Sequence, residues 1–314
     1  MKRILFLDTN HPVMLEMLRG AGFECDEEYS LSKEEVQQRM SGYHGVVIRS
    51  RFKLDAAFIN ASPDLKCIAR AGAGMENIDV AYAQARGIAC VHAPEGNRDA
   101  VGEQALGMLL ALMNNLARAD REVRTGKWIR EGNRGYELGG KTVGIIGYGN
   151  MGSAFAQRLR GFEVNVLAYD KYKTGFGNEF VKESSPEEIF AQADVLSLHI
   201  PLTPETEYMV NDAFLSAFRK PLWLINSARG KVLDTAALVK HLQQGTVRGA
   251  CLDVLEYEKV SFEAIDATAL PAPMQYLIQS DKVLLSPHIA GWTFESHEKI
   301  GKVLAQKIIN ALTG

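Results

Sequence analysis

Along the first hundred residues, short apolar runs alternate with segments of helical spacing. ILFLD (4–8), GVVIRS (45–50), LKCIAR (65–70) and IACVH (88–92) read as β-strands. Between them, HPVMLEMLRG ends on Gly20, a residue suited to closing a helix. SKEEVQQRM opens with Ser32 and has Glu35 three positions on, the signature of a capping box. From about Asn97 to Asp120 one long helix is predicted, apolar nearly all round, as in a helix buried between two bodies. GKWIREGNRGYELGGK, rich in Gly and Arg, follows as an exposed arm. TVGIIG, VNVLAYD, DVLSLHI, LWLINSA, GACLDV and KVLLSPH then give six strand-like runs, the number that a dinucleotide-binding sheet uses. A last helix, about 294–312, comes too late for that sheet and is expected to return to the first block. The prediction is an α/β protein with two Rossmann-like or flavodoxin-like domains, parallel sheets and a cleft between them. One domain is discontinuous (1–97 plus 291–314), and the other comprises 98–290.

Composition narrows the function classes. The chain has 314 residues, 46% hydrophobic and 23% charged, enough apolar surface for two cores. A net charge of −3 gives no electrostatic reason to expect a nucleic-acid partner. Asp8 interrupts the apolar run after MKR, so the start reads as a buried strand rather than a secretory leader, and no run is long enough to span a membrane. Cys25, Cys67, Cys90 and Cys251 form no C-x-x-C pair, which leaves no metal site signalled. Reduced thiols in a cytoplasmic protein are expected.

The first chemical signal is Gly147-Tyr148-Gly149-Asn150-Met151-Gly152, after an apolar strand and before a helix-competent run. Gly147 permits the tight turn, Gly149 lets the backbone approach a pyrophosphate, and Gly152 allows close helix–strand packing. The next strand ends at Asp170, roughly 20 residues on, where a carboxylate accepts ribose hydroxyls and repels a 2′-phosphate. NAD is therefore expected over NADP, with Lys171 softening the preference.

Three later strand ends carry polar groups: NSARG with Arg229, LDVLEYE with Asp253 and Glu258, and SPHIAG with His288. Taken alone, Arg229 is a surface cation, Glu258 a solvated carboxylate beside Glu256, and His288 a structural histidine. Together they suit hydride transfer at a carbonyl. An imidazole exchanges the proton on oxygen, a carboxylate stabilises its charged form, and a guanidinium grips the substrate carboxylate.

At these residues the chain resembles the D-isomer-specific 2-hydroxyacid dehydrogenases. IARAGAGMENIDV, GKTVGIIGYGNMG, HIPLTPET, INSARGKVLD, LDVLEYE and SPHIAG occur in the family's order across nearly the whole chain. The resemblance implies Arg229, Glu258 and His288 as catalytic residues. It implies cofactor contacts from His199, Ile200, Pro201, Ser227, Ala228, Asp253 and Gly291. It also implies that the discontinuous domain binds substrate and the other binds NAD. Backbone N–H groups of Gly72, Ala73 and Gly74 would receive the substrate carboxylate, as a glycine-rich nest can.

Within the family the nearest likeness is to the branch acting on D-3-phosphoglycerate, in serine biosynthesis. Arg49, Arg70 and Arg130 match positions that present basic groups to its phosphate, Arg130 from an arm that reaches a partner in family dimers. A homodimer is expected. Glyoxylate/hydroxypyruvate reductase, a non-catalytic NADH-sensing corepressor and formate dehydrogenase stay open, the last disfavoured by Glu258 where formate enzymes carry glutamine. Lys259 stands where the family has proline, and the stretch from Glu258 to His288 is long enough for a lid or interface element in 259–280. Trp292 replaces a small residue and adds bulk toward the nicotinamide side or stacks on a partner. Serine feedback through a domain beyond Gly314 is not expected.

Overall fold

The computed structural model describes residues 1–258 and 270–314. Two compact units emerge, Met1–Arg98 with Trp292–Gly314, and Asp99–Gly291.

The first unit begins with alternating strands and helices: β1 (Arg3–Phe6), α1 (Pro12–Gly20), β2 (Glu24–Glu27), α2 (Lys33–Arg39), β3 (Tyr43–Ile48), α3 (Ala56–Asn60), β4 (Cys67–Arg70), α4 (Val80–Ala85) and β5 (Ala89–His92). The strands form one parallel sheet in the order β2-β1-β3-β4-β5. Its residues alternate between two cores: Leu5, Val46, Ile48 and Ile68 enter one, Ile4, Phe6, Val47 and Cys67 the other. Burial on both faces is why these strands read as nearly continuous apolar runs. β2 was not predicted. Its sequence ECDE has no apolar periodicity, which suits an edge strand with half-exposed residues.

The predicted long helix is two. α5 (Pro94–Met113) contains the boundary between the units, and α6 (Leu116–Arg124) starts after Asn115, whose φ of 55° breaks the helical path. α6 buries none of its residues.

The second unit continues with β6 (Thr142–Ile146), α7 (Asn150–Arg158), β7 (Asn165–Tyr169), β8 (Val181–Glu183), α8 (Pro186–Gln192), β9 (Val195–Leu198), α9 (Asp212–Ser216), β10 (Leu222–Asn226), α10 (Thr235–Gln244), β11 (Val247–Leu252), α11 (Ala272–Gln279) and β12 (Val283–Leu285). Seven strands, one more than the six runs predicted, lie parallel in the order β12-β11-β10-β9-β6-β7-β8. The additional strand, β8, is three residues long with two exposed, too short to show a period. The chain leaves β6 toward β7 on one side and resumes with β9 on the other. Open α/β sheets bind ligands at such a switch, outside the carboxyl ends of the strands.

Of the 259–280 stretch, 259–269 lie outside the described residues, Lys259 among them. Its last part is α11, which packs on α10 through buried Met274 and Leu277. Finally α12 (Phe294–Thr313) returns to the first unit, where Leu304, Ala305, Ile308 and Leu312 pack with Ile4, Phe6 and Val47. Truncating a fully buried leucine such as Leu304 costs about 2–5 kcal/mol.

Candidate active site

The glycine loop sits at the end of β6. Gly147 has φ +90°, and a Cβ there would collide with the His199 backbone; one on Gly152 would collide with the Gly147 carbonyl. Gly149 has open space where a side chain would project, and no side chain caps α7. The turn therefore offers the uncapped amides of Asn150, Met151 and Gly152 to an anion. Around the same carboxyl edge, the Ser227 hydroxyl and His199 Nδ1 are buried without a hydrogen-bond partner. His199 Nε2 lies 2.8 Å from Ser197 Oγ, and burial pushes the ring down to about 3, so it is neutral. A glycine cradle, an uncapped helix start and two orphaned polar atoms fit a dinucleotide. Ile200 and Pro201 follow His199 on the same connection.

Asp170 ends β7 and already holds three main-chain amides, from Tyr148 at 2.8 Å, Tyr172 at 2.9 Å and Lys173 at 3.1 Å. Its carboxylate thus ties the glycine loop to the next connection. Lys171 is paired with Glu205, a partner that sequence reading overlooked.

After β10, buried Asn226 shapes the NSARG turn: its Oδ1 accepts the Ala228 N–H at 3.1 Å and its Nδ2 donates to the Arg229 carbonyl at 3.0 Å. Arg229 donates to the Ala228 carbonyl at 2.6 Å. The next residue, Gly230, packs so close to the Leu255 carbonyl that a Cβ would clash, which seats the arginine turn on the loop carrying Glu258. In that loop Glu258 Oε1 accepts the Leu255 N–H at 2.6 Å, and Oε2 lies 2.7 Å from His288 Nδ1. Half-buried Glu256 also has protein partners; it accepts the Thr235 N–H at 3.0 Å and the Tyr208 hydroxyl at 3.1 Å.

Beneath His288 lies Asp253, 2% exposed. Its Oδ1 accepts Gln104 Nε2 at 3.0 Å, Ser286 Oγ at 2.5 Å and the Ile289 N–H at 2.9 Å, while Oδ2 accepts the Ala290 N–H at 2.9 Å. Its carbonyl takes the His288 N–H at 2.8 Å. His288 has φ 54°, a left-handed conformation that is uncommon for a non-glycine residue. Five hydrogen bonds through Asp253 hold this turn, which continues through Ala290 and Gly291. The aspartate is thus a scaffold for the histidine, with Oδ2 the less occupied oxygen. Gln104 and Ser286 escaped the sequence reading because a glutamine in an apolar helix and a serine before proline carry no pattern.

In the first unit, Gly72 has φ +149° and lies under the Arg70 side chain. Its N–H is spent on the Arg70 carbonyl at 2.9 Å, so the predicted three-amide nest loses one donor. Among the described residues the Ala73 and Gly74 N–H groups have no partner. His92 Nδ1 fixes the loop at 2.5 Å from the Ala73 carbonyl. Arg49 stacks 4.8 Å above the Trp292 ring, and Trp292 in turn stacks on His297 at 6.4 Å. Arg130 is exposed on the arm, beside a short 3₁₀ turn at Glu131–Asn133.

Among the described residues no cluster of three His, Cys, Asp or Glu side chains is arranged for a metal, and no helix is long and apolar enough to cross a membrane. All four cysteines are unpaired.

Several known proteins resemble this chain. The chain is 36% identical over 99% of its length to D-3-phosphoglycerate dehydrogenase of Archaeoglobus fulgidus, of which it spans 58%. It is 35% identical over 92% of its length to glyoxylate reductase of Thermofilum pendens, covering 84% of that protein. Its fold matches the NADPH-dependent glyoxylate/hydroxypyruvate reductase of Sinorhizobium meliloti, solved with NADP and malonate, with a TM-score of 0.81 and 30% identity over 99% of this chain and 94% of that one. Residues 106–290 match the NAD binding domain of the D-isomer specific 2-hydroxyacid dehydrogenases. With the glycine cradle, the Asp253 scaffold and the His288–Glu258 pair all inside that segment, the chain belongs to this family.

Proposed function

We propose that the chain is an NAD-dependent dehydrogenase acting at C2 of a small D-2-hydroxy acid. The observation that carries this reading is the 2.7 Å hydrogen bond between Glu258 and His288, on a turn held from below by Asp253. The bound dinucleotide would supply the hydride acceptor or donor, held by the glycine loop, Asp170 and the edge at Ser227, Ala228 and His199. The substrate hydroxyl proton passes to His288 Nε2, the nitrogen that Glu258 does not engage. Glu258 fixes the ring's orientation and balances the imidazolium. Arg229 grips the substrate carboxylate through paired N–H donors; within the first unit, the Ala73 and Gly74 amides are suited to an anion.

For the finer assignment we favour D-3-phosphoglycerate, and hence serine biosynthesis. Arg49, Arg70 and Arg130 are suited to a phosphate. A second reading, glyoxylate or hydroxypyruvate reduction, gains support from the 84% coverage of the Thermofilum pendens enzyme and from Arg49 being engaged by Trp292. A homodimer is favoured by the exposed apolar side chains of α6 and the arm, Leu116, Val123, Trp128 and Ile129. Four unpaired cysteines suit a reducing, cytoplasmic setting.

The test is NADH oxidation against phosphohydroxypyruvate, hydroxypyruvate, glyoxylate and pyruvate. Preference for the first supports the phosphoglycerate assignment, and preference for the unphosphorylated acids the second reading. Tight NADH binding without turnover of any would remove the enzymatic reading.

A further inference from the structure

We propose that Glu205 is a specificity-determining residue for the dinucleotide, acting by holding Lys171 away from the 2′ position of the adenosine ribose. The proposal rests on the reading of Asp170 as the ribose contact. The strand order sets the geometry: β7 and β9 flank β6, whose end carries the glycine loop. Lys171 follows β7 and Glu205 lies in the connection after β9, so their ion pair bridges the two strand ends on either side of that loop. The ribose of a dinucleotide seated on the loop is expected beside Asp170.

Glu205 is fixed from both directions. Its loop is a tight turn in which the Thr203 N–H donates to Thr206 Oγ1 at 2.8 Å, Thr206 Oγ1 donates to the Pro201 carbonyl at 2.7 Å, and the Glu207 N–H donates to the Thr203 carbonyl at 2.9 Å. One carboxylate oxygen takes the Lys171 ammonium and the other accepts the Tyr172 hydroxyl at 3.1 Å. The lysine beside it holds the Glu205 carboxyl below its ordinary value, so it stays charged at neutral pH.

The consequence is chemical. A lysine directly after the ribose-binding aspartate would attract a 2′-phosphate and blunt the selectivity that Asp170 confers. Paired with Glu205, that lysine has its charge compensated and its head turned toward β9, while a second carboxylate joins Asp170 against the phosphate. Family members differ in cofactor, as the NADP-bound Sinorhizobium meliloti structure illustrates, so this chain needs its own means of choosing.

The test is equilibrium binding, followed by nicotinamide fluorescence, of NADH and NADPH to the wild type, Glu205→Gln, Lys171→Met and the double variant. Both side chains are about half exposed, so the substitutions leave the core untouched. Glu205→Gln is expected to tighten NADPH about tenfold, with a much smaller change for NADH. Lys171→Met should not tighten NADPH, and the double variant should lose the gain. NADPH affinity unmoved in Glu205→Gln while NADH binds normally, or a gain that persists in the double variant, overturns the proposal alone. Failure of the wild type to bind either dinucleotide overturns the underlying site as well.

Discussion

Glu258 contacts His288 through one carboxylate oxygen at 2.7 Å and the main chain of Leu255 through the other at 2.6 Å, so the acid is oriented before it orients the base. Glu258→Gln keeps the shape and removes the charge opposite an imidazolium. Turnover is expected to fall by about 10²-fold or more, with NADH affinity little changed. Steady-state kinetics paired with a fluorescence titration check this; wild-type turnover would detach Glu258 from the chemistry.

Arg229 tests the substrate grip. Arg229→Ala should lower kcat/KM by about 10²- to 10³-fold and leave NADH binding nearly intact. A variant as active as the wild type would take the guanidinium out of the mechanism.

Gln104 donates to both the Asp253 carboxylate and Ser286 Oγ, at 3.0 and 3.1 Å. Gln104→Leu leaves a buried carboxylate short of a donor, a loss of about 1–3 kcal/mol, readable as a lower urea midpoint. Turnover should fall too, because the same carboxylate holds the His288 turn. Unchanged stability and kcat would show the bond to be incidental.

Asp170→Ala is expected to weaken NADH and narrow the NADH-to-NADPH ratio of kcat/KM. The loss should exceed that of a ribose contact alone, because the carboxylate also holds the Tyr148 N–H of the glycine loop. An unaltered ratio argues that discrimination lies elsewhere.

Acid sensitivity has an identifiable source in His199. Burial lowers its folded-state value to about 3 from an ordinary 6.5, so the stabilisation from its neutral form is complete above pH 6.5 and drains as pH falls toward 3. His199→Phe removes up to about 1.4 kcal/mol per pH unit of that slope. Urea unfolding at pH 7.5 and 5 compares the two; parallel slopes would assign the acid lability to other groups.

The glycine loop and the three polar strand ends at Arg229, Asp253 and His288 could be located in the sequence because each couples a residue type to a strand–turn context. What stayed hidden was carried by tertiary contacts. β2 and β8 exist because a neighbouring strand offers them partners, not because ECDE or VKE has a period. The helix break at Asn115 is a backbone event within an otherwise helical composition. Gln104, Ser286 and Gly230 matter through groups far away in the chain. Within HIPLTPET nothing marks Glu205 as the counter-ion of Lys171, 34 positions earlier.

The return of α12 has a consequence for biosynthesis. Part of one apolar face of the first sheet, beside α1, is covered by Leu304, Ala305, Ile308 and Leu312, which leave the ribosome after every strand they shield. Emerging from the tunnel, the middle of the chain holds all its own strands and can collapse first, whereas the amino-terminal sheet waits with a sticky flank for its last helix. A nascent chain stalled before residue 294 should therefore be a chaperone client through its first sheet, although the strands of the second sheet are made later.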